Sequence, residues 1–147
     1  MKRYFQLFFI VALFISFPLV SNAQCKGFAK KICKMELLPD YTHDGNYHAA
    51  ILTEGEEAEL YKTFYSDQEY RIGICGSDNM GDIEFTVYDA SKNVIYTNKD
   101  NDYGRTWDFK LQSSQQLKIS VKVPPNADSA AEPEQGCVAI MFGFKVK

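Results

Sequence analysis

The sequence predicts an all-β fold: an antiparallel β-sandwich of jelly-roll type, about seven or eight strands, with a short N-terminal helix stapled to an outer face by disulfides. Three observations predict it. Apolar and polar residues alternate with period two along the second half of the chain. Turn-forming residues recur at short spacing between those runs, and no long helical run is present to support a parallel sheet. Four cysteines are divided between one helix-like segment and two strand-like ones.

The elements follow in order. Lys2 and Arg3 precede a nearly unbroken apolar stretch from Phe5 to Val20, and Ser21, Asn22 and Ala23 offer the small residues that a signal peptidase reads. Residues 1–23 are therefore read as a signal peptide cleaved after Ala23. A retained anchor is disfavoured by Pro18 and the small-residue exit. A lipid on Cys25 is disfavoured because Gln24 stands where a small residue is needed and an odd number of cysteines would remain. Residues 24–147 then form one domain with no membrane-spanning segment, placed in the periplasm or secreted, where disulfides persist.

Composition bounds the rest. Of 147 residues, 46% are apolar, 14% aromatic and 24% charged, with a net charge of −3. The leader takes two basic residues and no acidic one, leaving 14 basic against 19 acidic residues, a net −5. That much apolar and aromatic residue argues against disorder, and an acidic chain lacks the basic footprint that nucleic-acid binding requires.

Within residues 24–35, Cys25, Phe28, Ala29, Ile32 and Cys33 recur at helical spacing as one apolar stripe, with Lys26, Lys30, Lys31 and Lys34 elsewhere. So short a helix needs docking to persist. Residues 36–57 are a connector, with turn residues from Pro39 to Asn46, a possible edge strand from Tyr47 to Thr53 and an acidic turn from Thr53 to Glu57. Residues 58–147 hold the remaining strands. These are Ala58 to Tyr65, Glu69 to Cys75, Ile83 to Tyr88, Asn93 to Thr97, Trp107 to Gln112, Leu117 to Val123 and Cys137 to Lys145, with a loop from Pro124 to Gly136. Ile83, Phe85 and Val87 face inward in their strand, and Leu117, Ile119, Val121 and Val123 in theirs, opposite Lys118, Ser120 and Lys122.

Strand parity places the cysteines. Tyr70, Ile72 and Ile74 face the core, which puts Cys75 on the outer face with Arg71 and Gly73. Val138, Ile140 and Phe142 put Cys137 outside with Ala139, Met141 and Gly143. The small residues beside both cysteines leave room for another element. Cys25 and Cys33 stand about 12 Å apart along a helix, too far for one bond. Each is then expected to bond Cys75 or Cys137, in an order the sequence leaves open. The competing arrangement is a Cys75–Cys137 bond with Cys25–Cys33 closing a non-helical loop. Zinc ligation is not expected, since no C-x-x-C pair occurs.

No catalytic set is legible. His43 and His48 lie in or near one turn, where a rigidly held base is not expected, and neither G-x-S-x-G nor H-E-x-x-H is present. They are read as turn residues rather than as metal ligands with Asp44. Asp100, Asn101 and Asp102 form an oxygen-rich loop that could hold calcium, the one cofactor considered, although a solvated loop is the simpler reading. Tyr41, Tyr47, Tyr61, Tyr65, Tyr88 and Tyr103 take surface-parity or loop positions, and Tyr61, Tyr65, Tyr88 and Tyr103 are the candidate binding residues.

The runs AELYKTFYSDQEYRIGIC, DIEFTVYDASKNVIY, WDFKLQSSQQLKISVKV and GCVAIMFGF resemble small secreted proteins of Bacteroidetes-type bacteria. Their order is also similar to the bacterial pre-peptidase C-terminal domain, a jelly-roll accessory module of secreted enzymes. That resemblance implies a sandwich and supplies no catalytic residues. The expected function is a non-enzymatic binding or structural module whose partner is an envelope protein or a polysaccharide. The alternative is a carbohydrate-binding module, possibly calcium-stabilised.

Overall fold

The computed structural model describes residues 21–125 and 132–146. Apart from its last three residues, the expected leader lies outside the described residues, and so does part of the loop expected over 124–136.

The described residues open with helix α1 (Ser21–Phe28), run through a π turn (Ala29–Cys33) and end their helical segment in α2 (Lys34–Leu37). The expected helix over 24–35 is thus longer and is not a regular α-helix. The reason lies in which residues are buried. Cys25, Ala29, Cys33 and Leu37 are each 3% exposed or less, one every four residues. An α-helix turns about 100° per residue, so a four-residue repeat drifts about 40° per step and about 120° over three steps. The wider i→i+5 turn absorbs that drift and keeps all four on one face.

Among the described residues nine strands follow: β1 (Thr42–His43), β2 (His48–Thr53), β3 (Glu57–Phe64), β4 (Glu69–Gly76), β5 (Glu84–Tyr88), β6 (Val94–Thr97), β7 (Thr106–Lys110), β8 (Gln115–Lys122) and β9 (Gln135–Phe144). They form two antiparallel sheets. One has the order β1-β9-β4-β7, with β2 also paired to β9 along the edge that β1 begins; the other has the order β3-β8-β5-β6. The expected edge strand is therefore present as β2, and β1 is an additional short strand inside the turn-rich connector. Except at the β5–β6 hairpin, successive strands from β2 onward alternate between the sheets.

Between the sheets lies the main core. Phe64 sits at its centre, edge-on to Tyr70, Phe109 and Phe142 at 5.0, 5.1 and 5.8 Å. Phe85, Val87, Leu117, Ile119, Val121, Ile72, Ile74 and Ile140 are buried around it, as their parity requires. Trp107 is half-buried, stacked between Tyr96 and Phe109 at 4.6 and 4.4 Å. Ser120, expected on a wet face, is instead buried and donates to Glu57.

A second apolar layer covers the outer face of the five-stranded sheet. Ala29, Cys33, Leu37, Leu38 and Tyr41 pack on Cys75, Ala139 and Met141. Disulfides fix it, with Cys25 bonded to Cys137 and Cys33 to Cys75. This excludes the competing Cys75–Cys137 arrangement, since each strand cysteine is bonded to a cysteine of the helical segment. Polar ties close the C-terminal end. The Arg71 guanidinium donates to the Leu37 carbonyl at 3.4 Å and grips Asp108 through two bonds of 2.6 and 2.7 Å, and Arg105 donates to Glu36 at 2.9 Å. Contrary to its place in the expected stripe, Ile32 is 45% exposed and Phe28 is half-buried.

Candidate functional site

The two sheets present unlike exteriors. One is roofed by the helical segment. The outer face of β3-β8-β5-β6 carries no such cover among the described residues, and its side chains follow from strand register. Tyr61 pairs with Lys118, Lys118 with Tyr88, and Tyr88 with Val94. These four therefore form a single row across all four strands. A bulge between Val87 and Tyr88 sets the last pairing.

Tyr61 is 62% exposed and Val94 55%. The Lys118 ammonium lies 4.3 Å from the Tyr88 ring centroid and 2.9 Å from a Glu59 carboxylate oxygen. The hydrogen bond to Glu59 is the main cause that raises the Lys118 pKa, so Lys118 stays protonated at neutral pH as the cationic half of an ion pair with Glu59. A hollow of about 320 Å³ opens between Tyr61, Tyr88, Lys118, Gln116 and the Asp89–Lys92 turn. That turn is fastened by Asp89, whose carboxylate accepts from the Ser91 and Asn93 backbone N–H groups and from the Asn93 amide. Hydrogen bonding from Asn93 holds the Asp89 carboxyl below the usual range.

Of the four candidate tyrosines, the sheet thus brings Tyr61 and Tyr88 together. Tyr65, 66% exposed, lies just beyond the end of β3. Tyr103 is elsewhere, half-buried beside a cleft on the helix side. Tyr41 is buried, correcting its placement among surface tyrosines. It donates to Glu69 at 3.0 Å beneath the Arg71 guanidinium, and burial, then that hydrogen bond, raises its pKa far above the phenol range. Tyr47 packs against the second apolar layer and lies tilted against His43, ring centroids 4.5 Å apart.

The other sequence candidates remain dispersed. His43 Nδ1 accepts from the Gly45 backbone N–H at 3.1 Å, so Nε2 bears the proton; it is buried without a partner, 3.8 Å from Asp44. Asp44 instead bonds Lys62 across the sandwich at 2.6 Å. Burial alone would raise the Asp44 pKa, but the Lys62 bond and the Asn46 N–H outweigh it and hold it low. His48 lies edge-on to Phe142 at 5.5 Å. Asp100 and Asp102 are exposed, and the Asn101 amide donates to the Thr97 carbonyl at 2.9 Å. Among the described residues, no three His, Cys, Asp or Glu side chains gather into a metal-binding group.

One buried polar residue escaped the sequence reading. Asn98 is fully buried; its side chain accepts from Phe85 N–H at 2.8 Å and donates to the Ile83 and Gly104 carbonyls at 2.9 and 3.3 Å. Its position just before KDNDY resembles an ordinary turn residue, and only tertiary structure shows otherwise.

The chain matches no protein-family model and no curated protein. Among solved structures it is similar to PliG of Aeromonas hydrophila, a periplasmic lysozyme inhibitor of g-type lysozyme, with 17% identity over 68% of this chain and 85% of that chain and a TM-score of 0.50. At that identity the likeness concerns the fold.

Proposed function

We propose that this chain is a non-enzymatic binding module exported from the cytoplasm, and that it engages a protein partner through the outer face of β3-β8-β5-β6. The single observation that carries the reading is the row Tyr61–Lys118–Tyr88–Val94 on the face left open when the helix covers the other sheet. Large exposed apolar and aromatic side chains gathered round an ion pair are the composition of a protein-binding surface. The leader over 1–23, cleavage after Ala23 and a single domain over 24–147 belong to this proposal, and the two disulfides support it. The scaffold we read as a jelly roll, supported by strand orders β2-β9-β4-β7 and β3-β8-β5-β6. Its likeness to the pre-peptidase C-terminal domain is carried as part of the same reading. A structural relative that inhibits a lysozyme makes a g-type lysozyme the first partner to try.

A carbohydrate ligand is the second reading, favoured by the exposure of Tyr61 and Tyr65. It is weaker because Lys118 already covers the Tyr88 ring, which leaves less free aromatic face for a sugar. Calcium at Asp100, Asn101 and Asp102 belongs to that second reading alone.

Site-specific photo-crosslinking in the native envelope tests the proposal. A photo-reactive residue at Tyr61 is expected to give one discrete protein adduct, and the same residue at the exposed Lys110 of β7 none. Equal adducts at both positions, or none at Tyr61, would contradict it. Retention on a polysaccharide array that Tyr61→Ala abolishes would establish the second reading instead.

A further inference from the structure

A cleft of about 500 Å³ lies on the helix side, away from the tyrosine row. Phe28, Ile32, Ile83 and Tyr103 give it an apolar and aromatic lining, and Asp78 and Asp82 line it too. Glu36 and Arg105 also line it, but they are paired with each other at 2.9 Å. Among the described residues, neither Asp78 nor Asp82 has a cation within 4.0 Å. The helix lysines Lys26, Lys30, Lys31 and Lys34 are not among the lining residues. The recess therefore combines apolar and aromatic walls with an uncompensated charge of −2.

Its walls are held by the fold rather than by their own sequence. The buried Asn98 amide ties the Ile83 and Gly104 carbonyls, and the Asn98 carbonyl accepts from Tyr103 N–H at 3.0 Å. These bonds keep Tyr103 at a φ of 53°, a left-handed conformation that its side chain does not favour. The exposure of Ile32 has a counterpart here, since this exposed apolar side chain of the helical segment lines the cleft.

We infer that this cleft receives an arginine side chain presented by a protein partner. The cavity is of the size that encloses a single side chain or small ligand. Apolar walls suit the aliphatic stem, the aromatic rings of Tyr103 and Phe28 in the lining are of the kind on which a flat guanidinium stacks, and Asp78 and Asp82 supply the opposite charge. Lysine would satisfy the charge but not the stacking. The site is independent of the tyrosine row, so each reading can fail without the other.

The test uses the oxidised mature protein, ¹⁵N-labelled, titrated with N-acetyl-arginine amide. Saturable shifts are expected at the amides of Ser77, Asp78, Asp82 and Tyr103. The neutral isostere N-acetyl-citrulline amide is expected to leave them in place. Asp78→Asn/Asp82→Asn is expected to weaken binding about tenfold or more while the remaining spectrum stays superimposable, which certifies its fold. Tyr61→Ala should titrate like the parent. Equal shifts with citrulline, equal affinity for N-acetyl-lysine amide, which has the same charge but no planar group, or unchanged affinity in the double variant would each overturn the inference. So would the absence of saturable shifts.

Discussion

Leu37 closes directly on Gly73: a β-carbon added at Gly73 would meet the Leu37 Cβ at 2.8 Å. The end of the helical segment therefore rests on the backbone of β4 and not on a layer of side chains. Gly143 on β9 is the matching contact, where an added β-carbon would lie 2.7 Å from the Tyr41 Cβ and 2.8 Å from Leu38.

It follows that Gly73→Ala forces the end of the helical segment off the sheet and Gly143→Ala the Leu38–Tyr41 stretch that follows it. A loss of about 1–3 kcal/mol is expected for each, typical of overpacking. Urea unfolding of the oxidised proteins checks it. Gly45 provides the comparison: it is exposed and crowded by nothing within 4 Å, so any loss at Gly45→Ala comes only from its φ of 91°.

Asn98→Ala removes three hydrogen bonds at a fully buried site and leaves Phe85 N–H and the Ile83 and Gly104 carbonyls without partners. A destabilisation of about 2–4 kcal/mol is expected. Hydrogen exchange should quicken first at Phe85, Tyr103 and Gly104.

The histidines set a pH dependence. Burial is the main cause that lowers the pKa of His43 from its ordinary 6.5, with Asp44 opposing it and Lys34 adding to it. His48 is lowered by burial too, with Asp44 opposing and Lys62 adding. Both rings accept protons more readily in the unfolded chain, which therefore binds more protons below about pH 6.5. Stability from this source is complete above that pH and declines as pH falls toward the lowered native values. Urea midpoints measured between about pH 7.5 and 5 are expected to drop. In His43→Gln/His48→Gln the midpoint over that interval should be flatter. An equally steep decline in the double variant would assign the effect to other groups.

Each disulfide closes a long loop, 42 residues for Cys33–Cys75 and 112 for Cys25–Cys137. Chain-entropy arguments give about 4 and about 5 kcal/mol respectively. Paired Cys→Ser variants, compared by urea unfolding, are expected to lose at least half of those amounts, with the Cys25/Cys137 variant the less stable.

Much of this architecture is legible in the residues. Alternation identified the inner faces of β5 and β8 because their inward positions are dry, although Ser120 on the other side of β8 is buried against Glu57. The same parity put Cys75 and Cys137 outside, and Gly73, Ala139 and Gly143 beside them announced a covering element. What escaped depends on tertiary context. The π turn answers a four-residue burial repeat that composition does not distinguish from an ordinary amphipathic stripe. Asn98 looks like any asparagine in a turn. Tyr41 lies in a connector rich in turn residues, and only the docking of that connector under Arg71 buries it. The tyrosine row was half visible: Tyr61 and Tyr88 were legible as surface residues, but their neighbourhood depends on the pairing of β3, β8 and β5, which no local pattern specifies.

A non-reducing tryptic map of the purified oxidised protein tests the central claim most directly. Trypsin cuts after Lys26, Lys34, Arg71, Lys92, Lys122 and Lys145, which separates all four cysteines. The account predicts two linked pairs, Cys25 with Cys137 and Cys33 with Cys75. A peptide joining Cys25 to Cys33, or free thiols at these positions, would show that no helix is clamped across the sheet and would remove the distinction between a covered face and a binding face.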